Sequence, residues 1–520
     1  MILPKNGSVI VIDDDPNQAM PIIDLLAKKG IATLYFKGSR EEYIPEKQLD
    51  NVRLAIVDLQ LIESTSDEHT ISTILINVLK NIIAPNNGPY MLLIWSLKDY
   101  SLGEEFKKKI NNPSHGIVPI CIASLEKSEC IIMKEPEWIE ESANQVIDDI
   151  ESQFDKDDLD VIKKSIISNF QEDVEYESKT DAFEKIENSL ENELKEAGVF
   201  HLFVIWENLV RKAGYQTVNA ISSTIEYSDL WEANMRDVLK RMAKARTGQN
   251  TLSDELFMKA ALSILSGSFS EELEYAIRKL DFPDYIKLDS PFSIAKKLNY
   301  DTYQISVNID SNSRLKGTLF KNNNKFNGLE NIKLDDFSQK ITLPDDNEEK
   351  QIFTSLAEVY SDIPSLINTK LHIELEPSEG HMPGNVYMID VLEERKKKLL
   401  PTYFENIPDK ISDFHFVELE VSPICDYAQN KWKKSRLISG LVFPVGTKTK
   451  SGPFYKGAPV VFINNKKYDI IFNYLLFKAL DIPEAENRGK FWFRIKRELL
   501  QDMIVGLSYQ VNRPGITAVF

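Results

Sequence analysis

Within the first 135 residues, short all-apolar runs alternate with segments that are apolar along one face only: SVIVI, AMPIIDLLAKKG, RLAIVDL, ISTILINVLKNII, YMLLIWS and VPICIAS. Short apolar runs between turn residues read as strands covered on both faces, and the segments between them carry helical spacing. That alternation restricts the fold to βαβ units around a parallel sheet, because parallel neighbours need a crossover and the crossover is normally a helix. Two of the strand-like runs stop on carboxylates: SVIVI leads into Asp13, Asp14 and Asp15, and LAIV leads into Asp58. Ligands of open parallel sheets gather outside the carboxyl ends of the strands, so these acids are candidates for one site. An acidic pair with one further carboxylate suits Mg2+, which takes few carboxylates and keeps several waters.

This order of strands and acids resembles the receiver domains of two-component response regulators. The resemblance implies a flavodoxin-like, doubly wound parallel sheet over residues 1–135. It puts Asp13 and Asp14 of VIDDDP on Mg2+, makes Asp58 of AIVDLQL the phosphoryl acceptor, and adds the backbone carbonyl of Gln60 as a metal ligand. It gives Ser96, at the end of LLIWS, a hydroxyl contact to the phosphoryl group. Lys127 of IASLEK takes the ion pair to the phosphoryl oxygens, with Lys98 a rival for that role. The implied partner is a histidine kinase. Departures are visible: LIESTSDEHTISTILINVLKNIIAPNNG replaces a short connection after the acceptor, and Ser128 rather than Pro follows Lys127. In these the chain resembles the divergent receivers of bacterial conflict and phage-defence operons, so a second protein of such an operon is a further implied partner. Residue by residue, a lone Asp or Ser at a strand end also fits a turn or a cap, and Trp95 fits core packing.

At 520 residues the chain needs more than one core. Residues 136–285 carry apolar positions at helical spacing and are expected to form a helical domain, with Trp206, Trp231 and Phe257 inside it. Residues 286–520 are expected to form an α+β domain with a barrel-like sheet. Its strands would include YQISVNI, KGTLF, KLHIELE, NVYMIDV, FHFVELEV, SRLISGLVF, APVVFIN and KYDIIFN. KNNNKFNGLENIK reads as a loop, and FWFRIKRELLQDMIVGLSYQVNRPG as a closing helix. Around VELEVSPICDYAQNKWKKSRLISGLVF the sequence loosely resembles the Cys-Asp turn of small β-barrel domains of uncharacterised bacterial proteins, with MPGNVYMIDV as the opening strand. Cys425 and Asp426 with Lys431 would then form an active-site corner needing His415 or His381 as base; the alternative is a buried Cys and a capping Asp. Glu418 and Glu420 with Lys431 are the nearest approach to a nuclease arrangement.

The formal charge of -18 argues against a chain whose task is to coat nucleic acid. The basic groups Lys431, Lys433, Lys434 and Arg436, and Arg395 to Lys398, read as solvated faces. No helix-turn-helix pattern points to a transcription factor. Cys121, Cys130 and Cys425 are odd in number and lack zinc spacing, and no apolar run or leader points to a membrane or secretion. A cytoplasmic phosphoacceptor, rather than a dedicated enzyme, is therefore expected. The alternatives are a receiver-gated effector with an enzymatic or nucleic-acid-acting C-terminal domain, and a pseudo-receiver scaffold that is never phosphorylated.

Overall fold

The computed structural model describes residues 3–4, 9–38, 44–59, 61, 68–96, 100–112, 115–134, 145–147, 162, 175–195, 197–248, 253–286, 292–298, 301–309, 315–325, 332–333, 348–376, 380–406, 411–423, 427 and 432–511. The chain divides into two units, residues 1–231 with 265–289 and residues 232–264 with 290–520.

In the first unit the expected parallel sheet forms. Strands β1 (Val9–Ile12), β2 (Thr33–Phe36), β3 (Leu54–Val57), β4 (Met91–Ser96) and β5 (Cys121–Glu126) lie in the order β2-β1-β3-β4-β5. The edge strand β2 is only partly buried and stands out less in the sequence than its neighbours. Helix α1 (Pro16–Lys28) starts where Asp15 caps it and Pro16, which has no N–H to lose, occupies its first turn. Its Ala19, Ile22 and Leu26 pack with Val9, Val11, Ile56, Leu93 and Trp95 on one face of the sheet. On the other face α2 (Glu68–Ile82) and α3 (Tyr100–Ile110) bring Leu75, Leu79, Ile82, Phe106 and Ile110 against Ile10, Ile12, Val57, Leu92 and Ile94.

After β5 the chain makes one turn of helix, α4 (Lys127–Cys130), and continues into β6 (Ile131–Lys134), which pairs antiparallel with β7 (Glu175–Ser178). Helix α5 (Ala182–Leu194) then lays Ala182, Ile186, Leu190 and Leu194 into the same core as α1, followed by Phe200 and Val204 of α6 (Gly198–Ser222). The sheet's core therefore draws on residues beyond 135: one face of β5 needs a covering helix, and the next amphipathic helix among the described residues is α5. Two further helices, α7 (Trp231–Thr247) and α8 (Asp254–Arg278), follow, and their residues 232–264 belong to the second unit. Of the aromatic residues expected inside the helical region, Trp206 is 51% exposed.

The second unit holds two antiparallel sheets. The first runs β11-β10-β9-β8, from β8 (Phe292–Leu298), β9 (Asp301–Ile309), β10 (Leu315–Lys321) and β11 (Asn324–Lys325), with β12 (Ile332–Lys333) beside β10. The polar stretch expected as a loop begins as a two-residue hairpin, since Asn322 and Asn323 adopt φ of 50° and 64°, which suits this tight turn and which Asn tolerates. Helix α9 (Glu348–His372) runs through the start of KLHIELE, leaving only β13 (Ile373–Glu374) as strand.

The second sheet has eight strands: β14 (Asn385–Met388), β15 (His415–Glu420), β16 (Lys434–Pro444), β17 (Phe454–Tyr455), β18 (Val461–Ile463), β19 (Lys466–Asp481) and β20 (Lys490–Ile495) join β13. Its order is β13-β20-β14-β15-β16-β19-β17, with β18 also on β19, so it is open and the expected barrel-like closure does not occur. The end strands are too short to close it, and a helix covers one face instead. That helix is α12 (Arg497–Val511), whose Leu499, Leu500, Met503 and Leu507 pack on Val386, Leu419, Ile438, Phe472 and Phe493. FWFRI, expected as the start of that helix, is β20. Two smaller helices, α10 (Glu393–Leu399) and α11 (Ile482–Glu486), lie between strands. Among the described residues no helix is long and apolar enough to cross a membrane.

Candidate functional site

In the first unit the strand order reverses between β1 and β3: the chain leaves β1 for β2 on one side and returns to place β3 on the other. Crevices at such switch points, outside the carboxyl ends of the strands, are where open α/β sheets bind ligands. Asp13 and Asp58 follow these two strands. The backbone ladder carries one residue past each, with Asp13 N–H donating to Phe36 O at 3.2 Å and Asp58 N–H to Ile12 O at 2.9 Å. The main chain thus fixes both carboxylates. One oxygen from each of Asp13, Asp14 and Asp58 lies within 4.8 Å of the others. Asp13 and Asp58 are buried, and Asp14 is half-buried.

Lys127, at the start of α4 and 1% exposed, enters this cluster. Its Nζ lies 2.8 Å from Asp13 Oδ2 and 2.8 Å from Asp58 Oδ2, and it also donates to Gln18 Oε1 at 2.9 Å. Burial pushes the Asp13 carboxyl up to about 7; the negative charge of Asp58 adds to this and Lys127 opposes it. Burial, then Asp58, also raises Asp14. Burial by itself would lower Lys127, but the charges of Asp13 and Asp58 and their hydrogen bonds outweigh it and raise the ammonium. Three carboxylates thus face one retained ammonium. Like charges about 4 Å apart repel by roughly 4 kcal/mol at the effective dielectric of a protein surface, so the set suits a divalent cation.

Two atoms have unused bonding capacity. Asp13 Oδ2 has the Lys127 ammonium at 2.8 Å as its one close partner, and Ser96 Oγ is buried at the end of β4 with no hydrogen-bond partner among the described residues. A buried polar atom left unpaired costs about 1–3 kcal/mol, which a bound ligand would recover. Ser96 also lines a pocket of about 160 Å³ with Leu59, Ile94, Gly103, Ser124 and Glu126. Asp13, Asp14 and Asp58 fit a small, hard, oxygen-seeking cation such as Mg2+.

The structure gathers Asp13, Asp14, Asp58 and Lys127, and sets Ser96 at the end of the neighbouring strand. Gln60 and Lys98 lie outside the described residues, as do Cys425, Asp426 and Lys431. Gln18 is an addition. Its signal was Asp15-Pro16-Asn17-Gln18, the spacing of a helix-capping box.

In the second unit, Glu418 and Glu420 are already engaged. Glu418 pairs with Lys478 and with Arg488 Nε at 3.1 Å. Glu420 accepts from Ser422 N–H at 2.7 Å, Arg436 N–H at 3.3 Å, His381 Nε2 at 3.1 Å and the Ser435 hydroxyl. Asn385 Nδ2 donates to the Tyr387 hydroxyl at 3.0 Å, which leaves that hydroxyl to donate to His381 Nδ1 at 2.5 Å. His381 thereby links Tyr387 to Glu420, and it stacks on Trp432 at 5.1 Å. Four donors meet the four lone-pair positions of Glu420, which describes a satisfied internal network joining β14, β15 and β16. His415 packs edge-on against Trp492 and Tyr468, and burial lowers its ring.

No family model, curated protein or solved structure matches the chain.

Proposed function

We propose that the first unit is a receiver-type phosphoacceptor of flavodoxin-like architecture, in which Asp58 takes a phosphoryl group with Mg2+ bound by Asp13, Asp14 and Asp58. The observation carrying this reading is the convergence at one switch point of a three-carboxylate cluster, a buried lysine bridging Asp13 and Asp58, and an unpartnered buried serine hydroxyl. The strand order 2-1-3-4-5 supports it, being the order shared by flavodoxin-like folds.

A carboxylate oxygen of Asp58 attacks phosphorus and forms the new O–P bond. The bond to the leaving group breaks in line, and its electron pair departs with the leaving group, a histidine imidazole when the donor is a histidine kinase. Mg2+ supplies charge neutralisation for the carboxylates and the incoming phosphoryl oxygens. Lys127 keeps its proton throughout and passes its hydrogen bond from Asp58 Oδ2 to a phosphoryl oxygen. The Ser96 hydroxyl gains the acceptor it lacks. The modified Asp58 then biases surfaces read by the rest of the chain or by a partner, which makes the protein a signalling component rather than a dedicated enzyme. Regulation within a bacterial defence operon is the setting that the resemblance suggests.

The test is incubation of the full chain with acetyl phosphate and Mg2+, followed by intact-mass analysis and peptide mapping. The expected result is one acid-stable, base-labile phosphoryl adduct on Asp58, absent in Asp58→Asn and absent with chelator. A chain that acquires no adduct is a scaffold, with Lys127 acting as a permanent internal counter-ion.

A further inference from the structure

Gln18 occupies the third position of α1, after the cap Asp15, Pro16 and Asn17. A glutamine so placed normally folds back onto the backbone N–H of the cap residue. Here that donor is taken, because Asp15 N–H donates to Asp13 Oδ1 at 3.0 Å, while the Asp15 side chain accepts from Asn17 N–H at 2.9 Å. The helix start is closed without Gln18. Its amide oxygen instead accepts from Lys127 at 2.9 Å, across 109 residues of chain.

Lys127 therefore has three oxygens around one ammonium, of which two belong to carboxylates and one to a neutral amide. The distinction matters once a divalent cation enters, since the cation competes for the two carboxylates and has far less attraction for the amide. A lysine stem carries about 2 kcal/mol of rotamer entropy, so an ammonium that lost both carboxylates would not stay aimed at Asp58 unaided. We propose that Gln18 is a positioning residue for phosphoryl transfer: its amide oxygen anchors Lys127 beside Asp58 while the carboxylates serve the cation. The inference rests on the phosphoacceptor reading above and deepens it. It also accounts for the residue type: asparagine is one methylene shorter, and leucine has no acceptor.

The test compares Gln18→Leu and Gln18→Glu in the full chain, with two readouts. The first is the rate of Asp58 phosphorylation by acetyl phosphate at saturating Mg2+. The second is not an activity: the rate of reductive methylation of Lys127 at saturating Mg2+, when the carboxylates serve the cation, followed by peptide mass spectrometry. Gln18→Leu is expected to slow transfer by about tenfold, equivalent to roughly 1.4 kcal/mol of lost transition-state stabilisation, and to speed Lys127 methylation several-fold. Its Mg2+ affinity by calorimetry stays within about twofold of wild type, since uniform binding is not what is lost. Gln18→Glu keeps an acceptor in place and restores the protection of Lys127. In a Lys127→Ala background, Gln18→Leu has no further effect on transfer, the signature of action through that lysine. Unchanged transfer in Gln18→Leu beside a normal wild-type adduct overturns this inference alone, as does slowing that persists without Lys127 or a Glu variant as reactive as Leu. A wild-type chain that forms no adduct overturns it together with the phosphoacceptor reading.

Discussion

Asp13 and Ser96 each bury a polar group at a cost to the stability of the sheet. The Asp13 carboxyl titrates near 7 in the folded chain, against an ordinary value of 3.8. Between those values the folded state holds a proton that the unfolded chain has released, so stability falls as pH rises from about 4 to about 7. Asp13→Asn removes that slope. Above pH 7 in chelator it should be more stable than wild type by about 1–3 kcal/mol, read as slower hydrogen exchange of β1 and β3 amides. It should also lose the protection that Mg2+ confers on wild type. A variant less stable than wild type at pH 8 would show that Lys127 needs Asp13 more than burial penalises it. Ser96 makes the complementary case. Its hydroxyl is buried and unpaired, so Ser96→Ala should leave the unmodified chain equally stable or about 1 kcal/mol more stable, while shortening the lifetime of the phosphorylated form, measured by loss of the adduct after desalting. A destabilised Ser96→Ala would mean that the hydroxyl has a role in the resting state.

At the scale of elements, the decisive association is that of α5 with the sheet. Ile186 and Leu190 are fully buried in the core that contains β1, β3 and Trp95, although both lie beyond residue 135. Leu190→Ala should destabilise the parallel sheet by about 2–5 kcal/mol through lost burial and a residual cavity. Hydrogen exchange at β5 amides reports it, and unchanged protection there would separate α5 from the sheet. In the second unit, β16 and β19 slip register between Ile438 and Gly440, where a Cβ on Gly440 would collide with Ile471 O. Gly440→Ala should therefore cost about 1–3 kcal/mol, seen as a lowered urea midpoint. These elements also mark what the sequence could disclose. β1, β3 and β4 were legible because strands covered on both faces are continuous apolar runs, and the two acids that end β1 and β3 were legible with them. The amphipathic face of α5 was legible too, but periodicity says that a helix has a buried face and not what covers it. FWFRI reads as helix because its apolar residues adjoin a helical pattern, and only pairing with β13 and β14 makes it β20. The role of Gln18 was hidden for a similar reason: its partner lies 109 residues away.

For the whole molecule, the limits of a core follow packing partners that lie far apart in the sequence. The sheet-forming residues of the N-terminal core end at β5, yet its packing residues continue to Val204. Of the eight-stranded sheet, β14, β15, β16, β18 and β19 are legible as strands and β17 and β20 are not, while the choice between closure and an open sheet depends on pairings such as β13 with β20, which are non-local. The two cores that flank the parallel sheet are built from residues up to 204, and the two around the eight-stranded sheet from residues 373 onwards. Cores that share no side chains need not melt together, since cooperativity requires common contacts. Calorimetry of the full chain should accordingly resolve more than one transition. A ligand that binds only the native form stabilises the unit holding its site by RT ln(1 + [L]/Kd), about 2.7 kcal/mol at a hundredfold excess over Kd. For a unit of this size that is a rise of about 5–10 °C in midpoint. Mg2+ should thus move one transition and leave the other in place, and Asp13→Asn should abolish the movement. Equal shifts of both transitions would place a cation site in the second unit, where the buried carboxylate Glu420 is already bonded to His381, Ser435, Ser422 and Arg436.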